Sequence, residues 1–138
     1  MKGLIEALLI LGLSGSLAWF AWFWHPDAPA FGEEGLEQRL EEIQAWESVL
    51  WVDARLKEEY EEAHIPGALL LNAEDWETLF GDFIMSWNPD VPVVVYCKSQ
   101  ACMRSHDAAK RLREELGAEN VFVLKDGWNA WLEKEAAE

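Results

Sequence analysis

The sequence predicts an α/β fold, in which helices cover both faces of a central parallel sheet. Segments with the apolar repeat of amphipathic helices alternate along the chain with short runs of β-branched and aromatic residues. Two of these runs, 92–96 and 121–124, are almost uninterrupted by polar residues. Strands that are apolar throughout are typical of parallel sheets buried on both faces. We therefore expect strand–helix–strand units joined by right-handed crossovers.

The first element is an apolar segment that we expect to cross a membrane once. Residues 4–24 are interrupted only by Glu6 and small polar residues. As a helix they would be about 31 Å long, close to the thickness of the hydrocarbon core of a bilayer. Three tryptophans that would suit a membrane–water interface crowd its far end: Trp19, Trp22 and Trp24. A cleaved signal peptide, with a candidate cleavage site at 28–30, and a buried core helix are the alternatives.

The composition divides the chain into three parts. Residues 1–24 form the predicted transmembrane anchor, 25–32 a linker with two prolines, and 33–138 the globular domain. Lys2 precedes the apolar span, whereas acidic residues follow it. Because positive residues favour the cytoplasmic side of a membrane, we expect the domain to lie on the outer, periplasmic side.

Helices and strands alternate through the globular domain. The first helix, about 33–46, places Leu36, Leu40 and Ile43 on one face. The last helix begins after Asp126, which is a candidate N-cap. The elements between them are strands at 49–52, 68–71, 92–96 and 121–124, and helices at 75–87 and 104–116, the second of which ends at Gly117.

The composition also excludes several classes of partner. A formal net charge of -15 argues against nucleic acid, whose phosphates are held by clustered lysines and arginines. Two cysteines and three scattered histidines provide neither a disulfide scaffold nor a metal site, so we expect no metal and no cofactor. The basic residues between Lys98 and Arg113 indicate either a small-anion site or an ordinary helix with paired charges.

The candidate reactive residue is Cys97, which directly follows the apolar run 92–96. Ligands of open parallel sheets bind beyond the carboxyl ends of the strands. Residues 98–103 must turn the chain before a helix begins near Arg104, and their backbone N–H groups can converge on one sulfur atom. Such a site would lower the pKa of the thiol and stabilise a persulfide anion. The alternative is an inert core cysteine.

Three segments of the sequence resemble motifs of the rhodanese family. They are Val52-Asp53-Ala54-Arg55 with Glu59-Tyr60 and His64-Ile65-Pro66-Gly67-Ala68; Val95-Tyr96-Cys97 with Arg104-Ser105 and Ala108-Ala109; and Val121-Phe122-Val123-Leu124 with Gly127-Trp128 and Trp131. The resemblance implies a three-layer α/β domain with a central parallel sheet of four or five strands. It also implies sulfur transfer through a persulfide, from a small sulfur-containing anion or a persulfide donor to a thiol acceptor.

The resemblance implies roles for individual residues. Cys97 is similar to the family's catalytic nucleophile. The loop after it would bind the transferred sulfur through its amides: Lys98, Ser99, Gln100, Ala101, Cys102, Met103 and Arg104. Asp53 and Arg55 would form a buried pair that fixes a strand end, and residues 64–67 would shape a turn.

The loop departs from the family pattern C-x-x-G-x-R-S. Six residues rather than four separate Cys97 from Arg104, and the loop glycine is absent. Ala63 and Asp126 stand where the family has glycines. The longer loop leaves the sulfur donor open and supports an alternative function, a non-catalytic binding module tethered to the membrane. A cysteine phosphatase is not favoured, since its loop would hold five residues between cysteine and arginine.

Cys102 has two interpretations. It would be a resolving thiol, and thiol–disulfide exchange a further possible function, if its Cα atom lies within about 7 Å of that of Cys97. The interpretation that we favour places it inward as a small hydrophobic residue, because an outward-facing compartment would tend to oxidise an accessible pair.

Overall fold

The computed structural model describes residues 35–138. The predicted anchor, 1–24, and the predicted linker, 25–32, lie outside the described residues. Within 35–138, no helix has both the length and the apolar character needed to cross a membrane.

Strands and helices alternate along the described residues, as the sequence predicts. The elements in chain order are β1 (Glu37–Gln38), α1 (Leu40–Gln44), β2 (Leu50–Asp53), α2 (Lys57–Glu62), β3 (Leu69–Leu70), α3 (Trp76–Ser86), β4 (Val93–Tyr96), α4 (Arg104–Leu116), β5 (Val121–Leu124) and α5 (Gly127–Ala137). The strands form one five-stranded sheet in the order β1-β5-β4-β2-β3. Every strand pair in it is parallel, which confirms the predicted parallel sheet.

The central strand β4 is buried on both faces. Val93 and Val95 pack on one side of the sheet, where α3 and α4 contribute Phe83 and Leu112. The alternate residues of the strand pack on the opposite side, together with residues of α1 and α5: Val94, Tyr96, Leu40, Ile43, Trp128 and Trp131. The period of two along a strand explains this division. The predicted three layers are therefore confirmed.

The predicted first helix is wrong over its first half. Its segment contains the edge strand β1 and only a short helix, α1. Leu36 accepts a backbone hydrogen bond from Val123, and Gln38 accepts one from Lys125. Leu36 consequently packs on the opposite side of the sheet from Leu40 and Ile43, rather than on a shared helical face. Pairing with a strand distant in sequence overrides the local helical pattern here.

Helix α2 was not predicted, because none of its residues is buried and it therefore lacks an apolar stripe. It leads into the predicted turn at 64–67, which the structure confirms. The amide of Ala68 donates to the carbonyl of Ile65, and Gly67 has a φ of 79°. The ring of His64 stacks on Tyr60 with ring centroids 3.9 Å apart.

The predicted pair of Asp53 and Arg55 is also confirmed at the carboxyl end of β2. Nη2 of Arg55 donates to Oδ2 of Asp53 at 2.6 Å and to the carbonyl of Ala63 at 2.7 Å. Both residues are buried, at 0% and 3% exposure. Burial alone would lower the pKa of the Arg55 guanidinium, but the hydrogen bonds and charge of Asp53 outweigh it and raise that pKa. The pair thus links β2 to the end of α2.

Arg55→Met tests this link while keeping an unbranched side chain of similar length. We expect the free energy of unfolding to fall by about 3–5 kcal/mol, because a buried carboxylate loses its partner. The matched control is Glu61→Gln, which breaks the exposed Lys57–Glu61 pair. It should change the free energy of unfolding by less than about 0.5 kcal/mol. Urea titration of the intact chain, followed by tryptophan fluorescence, measures both. Equal losses from the two variants would contradict the assignment.

A cysteine loop at the carboxyl edge of the sheet

Cys97 lies where the central strand leaves the sheet. Strands β2, β4 and β5 run parallel, so their carboxyl ends meet at one edge. Cys97 follows β4 directly and is 2% exposed, whereas most of the loop after it lies at the surface. The loop ends at Arg104, where α4 begins. The predicted position of the cysteine, beyond the end of a buried parallel strand, is confirmed.

The loop folds back so that the sulfur atom of Cys102 meets that of Cys97. The amide of Cys102 donates to the carbonyl of Ser99 at 3.0 Å, which turns the chain. The Cα atoms of Cys97 and Cys102 are 6.2 Å apart, and the two residues form a disulfide. The interpretation of Cys102 as an inward-facing hydrophobic residue is therefore wrong, because a tight turn can direct two thiols five residues apart toward each other.

The disulfide also defines the direction of the Cys97 side chain. A bond to the sulfur of Cys102, a partly exposed residue of the loop, means that Sγ of Cys97 faces the loop. An inert core cysteine would direct its sulfur between strand and helix instead. The amide cradle expected around that sulfur stays a prediction for the reduced loop, since the sulfur is bonded to Cys102 here.

The two cations of the loop are both paired with carboxylates. Nζ of Lys98 lies 3.8 Å from Glu59 on α2, and Nη2 of Arg104 lies 3.8 Å from Glu74. Further along α4, Arg111 contacts two glutamates at 2.6 Å, one of them four residues on along the helix. These contacts support the interpretation of the basic segment as a helix with paired charges rather than a concentrated anion site.

The first residues of the loop are hydrogen-bonded to the start of α5. The amide of Trp128 donates to the carbonyl of Cys97 at 2.7 Å, and that of Asn129 donates to the carbonyl of Lys98 at 3.3 Å. These are the helix amides that an N-cap side chain normally satisfies. Asp126 does occupy the predicted N-cap position, but its side chain makes no capping hydrogen bond. Loop carbonyls replace the cap.

Gly127 permits this close approach. Its φ is 55°, and a Cβ atom there would collide with the carbonyl oxygen of Cys97. The sequence contains the Gly127-Trp128 pair, but only the fold reveals that these residues hold the loop. The guanidinium of Arg55 lies 4.6 Å from the centre of a Trp128 ring, so the buried ion pair supports the same corner.

Tyr96 joins the end of β4 to the turn at 64–67. Its hydroxyl accepts a hydrogen bond from the amide of Ile65 at 3.1 Å. Burial, followed by the negative charge of Asp53, raises the pKa of Tyr96. The phenol therefore stays neutral, and its hydrogen bond holds the end of β4 against the turn at 64–67.

A groove of about 680 Å³ opens beside the disulfide loop. Residues of the loop and of α5, with Asp126 before that helix, line it, and all but the alanine are polar or acidic: Ser99, Gln100, Ala101, Asp126, Asn129 and Glu133. The charged side chains among these lining residues are the two carboxylates, Asp126 and Glu133, so this entrance has a negative character.

Residues 36–134 match the family model of the rhodanese-like domain. The thiosulfate sulfurtransferase GlpE of Pseudoalteromonas translucida is 31% identical over 102 residues, which cover 74% of this chain and 90% of that protein. The HTH-type transcriptional regulator Rv0324 of Mycobacterium tuberculosis is 34% identical over 83 residues. That match covers 60% of this chain but only 34% of the regulator, so the chain spans about a third of its length.

Two crystal structures share the fold. The BH2092 protein of Bacillus halodurans superposes with a TM-score of 0.59 at 24% identity, covering 72% of each chain. A rhodanese-like domain protein of Staphylococcus aureus gives a TM-score of 0.53 at 22% identity, covering 69% of this chain and 89% of that one. At these identities the likeness concerns the fold alone.

Gly127→Ala tests the fastening of the loop to α5. We expect the free energy of unfolding to fall by about 1–3 kcal/mol, because the new methyl group meets the Cys97 carbonyl at an unfavourable φ. Gly81→Ala is the matched control: it lies within α3, where nothing approaches a Cβ atom, and it should stabilise by up to about 1 kcal/mol. Urea titration measures both, and a Gly127→Ala variant as stable as the parent would refute the contact.

Proposed function

The chain belongs to the rhodanese-like domain family, and we propose that it is a sulfurtransferase or persulfide carrier that uses Cys97. The family and the likeness to a thiosulfate sulfurtransferase support a sulfurtransferase-type role. The observation that carries the proposal is the direction of the Cys97 sulfur. It faces the loop at the end of the central strand, where it already forms a sulfur–sulfur bond.

The proposed reaction has two displacement steps. The Cys97 thiolate attacks the sulfane sulfur of a donor, forming an S–S bond while sulfite or a thiolate leaves. An acceptor thiolate then attacks the outer sulfur, and Cys97 leaves as a thiolate. The loop amides, 98–104, together with the start of α4, would stabilise the negative charge of the persulfide between these steps.

The charge of the entrance favours an organic persulfide over thiosulfate as donor. Asp126 and Glu133 line the groove beside the loop, and Lys98 and Arg104 already contact glutamates. A dianion must approach these carboxylates, whereas a zwitterionic persulfide carries less net charge. The repulsion should weaken as salt screens the exposed groups.

Thiol–disulfide exchange is a second candidate function, because the Cys97–Cys102 bond is present. It needs no sulfur donor, since the disulfide would oxidise a substrate dithiol directly. A third candidate is the tethered binding module, in which the fold is kept without turnover. Persulfide formation separates the sulfurtransferase from both.

The location of the domain is part of the proposal. The apolar residues 4–24 would hold the chain in a membrane, with the domain on the outer side. The disulfide fits an oxidising compartment, where such bonds persist. We expect the intact chain to stay in the membrane pellet after alkaline carbonate extraction and to be digested by protease added from outside. Release into the supernatant would contradict the anchor.

Mass spectrometry of the loaded chain tests the reaction. We expect the reduced Cys102→Ser variant, whose one thiol is Cys97, to gain the mass of one sulfur atom on that residue. The gain should be faster with cysteine persulfide than with thiosulfate at low salt, because of the acidic entrance. Cys97→Ser, treated in the same way, is the matched control and should gain none. If no donor, inorganic polysulfide included, adds sulfur to Cys97 in the Cys102→Ser variant, the sulfurtransferase proposal fails, and thiol–disulfide exchange and the binding module are the candidates left.

A further inference from the structure

The structure assigns a second catalytic residue to the loop: we propose that Cys102 attacks the Cys97 persulfide and releases its outer sulfur as sulfide. This rests on the proposed function, since it requires sulfur on Cys97. It adds an activity that simple transfer does not include, the reductive release of sulfide. The chain would then deliver hydrogen sulfide as well as, or instead of, handing sulfur to an acceptor.

The first support is the distance between the two cysteines. Their Cα atoms are 6.2 Å apart, inside the range in which a disulfide forms without backbone movement. The hydrogen bond from the Cys102 amide to the Ser99 carbonyl maintains the turn that produces this distance. Cys102 is therefore already placed beside the sulfur that it would attack, so little conformational entropy opposes the step.

The second support is the length of the loop. It holds six residues between Cys97 and Arg104, two more than the pattern C-x-x-G-x-R-S. The lengthened loop carries Cys102, and its turn brings that residue back to Cys97. The departure from the family pattern thus coincides with a second sulfur at the reacting centre.

The step balances in atoms and electrons. The Cys102 thiolate attacks Sγ of Cys97, the inner sulfur of the persulfide, and the S–S bond to the outer sulfur breaks. The outer sulfur leaves as hydrosulfide, reduced by two electrons, while the two cysteines are oxidised to the disulfide. The product is the bond that the structure contains.

Burial decides how the disulfide would be reduced again. Cys97 is 2% exposed, whereas Cys102 is partly exposed and its neighbour Met103 is 61% exposed. An external dithiol would therefore attack Cys102, and Cys97 would leave as the thiolate. The second thiol of that reductant would then release Cys102 and become oxidised itself. The groove lined in part by Ser99 and Ala101 gives the reductant an approach.

A single-turnover experiment tests the proposal with the intact chain. The chain is reduced, freed of reductant without oxygen, and given one equivalent of cysteine persulfide whose outer sulfur is a heavy isotope. Heavy sulfide is measured as its bimane adduct, and the chain is measured by mass spectrometry after alkylation. Cys102→Ser and Cys102→Ala are treated alike, and circular dichroism confirms that both are folded. A sample without donor controls for direct oxidation of the pair.

We expect the parent chain to release about one heavy sulfide per chain and to acquire the Cys97–Cys102 disulfide. Both Cys102 variants should keep the heavy sulfur on Cys97 and release sulfide at least about ten-fold more slowly, because the intramolecular nucleophile is absent. Equal release from all three proteins, or heavy sulfur found on Cys102, would overturn the role of Cys102 while leaving the sulfurtransferase intact. Failure of the Cys102 variants to take up any sulfur would instead overturn both.

Discussion

The parallel pairing of β4 with β2 and β5 is the constraint on which the rest of the domain depends. β4 is hydrogen-bonded along both edges and covered on both faces, so its backbone and side chains leave no surface for chemistry. After β4 ends, the chain passes through the buried Cys97 and reaches the surface in the loop that follows it. Because the neighbouring strands run in the same direction, their ends deliver Asp53 and the start of α5 to the same place.

At that edge, a firmly hydrogen-bonded base lies beneath a loop that is two residues longer than the family pattern C-x-x-G-x-R-S. This base has two parts. The carbonyls of Cys97 and Lys98 each accept a hydrogen bond from an amide of α5, and the buried pair Asp53–Arg55 packs against Trp128. Hydrogen bonds of this kind contribute about 1 kcal/mol each, and the buried pair adds direction, since neither charge can turn to solvent. The residues from Ser99 to Met103 lie at or near the surface, and Cys102 among them supplies the second sulfur.

The net negative charge of the protein disfavours the anionic intermediates of the chemistry proposed for the loop. A net charge of -15 and the carboxylates of Asp126 and Glu133 oppose the approach of anions. Thiolates and persulfides are themselves anions, and they need positive potential close by. Backbone amides supply it over a few ångströms without adding net charge, so an acidic domain can hold a sulfur anion at a loop. In the release of sulfide proposed for Cys102, the nucleophile would belong to the chain itself and would not have to approach this acidic surface from outside.

The sequence by itself determined the class of the fold, the parallel sheet, the bounds of β5 and α4, and the place of Cys97 at the end of β4. Each of these follows from local periodicity or from turn residues such as Gly117, which short-range sterics control. The tertiary structure alone decided that 37–38 is a strand, that Cys102 faces Cys97, and that α5 is capped by loop carbonyls rather than by Asp126. These features depend on partners distant in sequence or on the path of a loop without periodicity. The local pattern of apolar and polar residues does not indicate such contacts, because their energy arises only when separate segments meet.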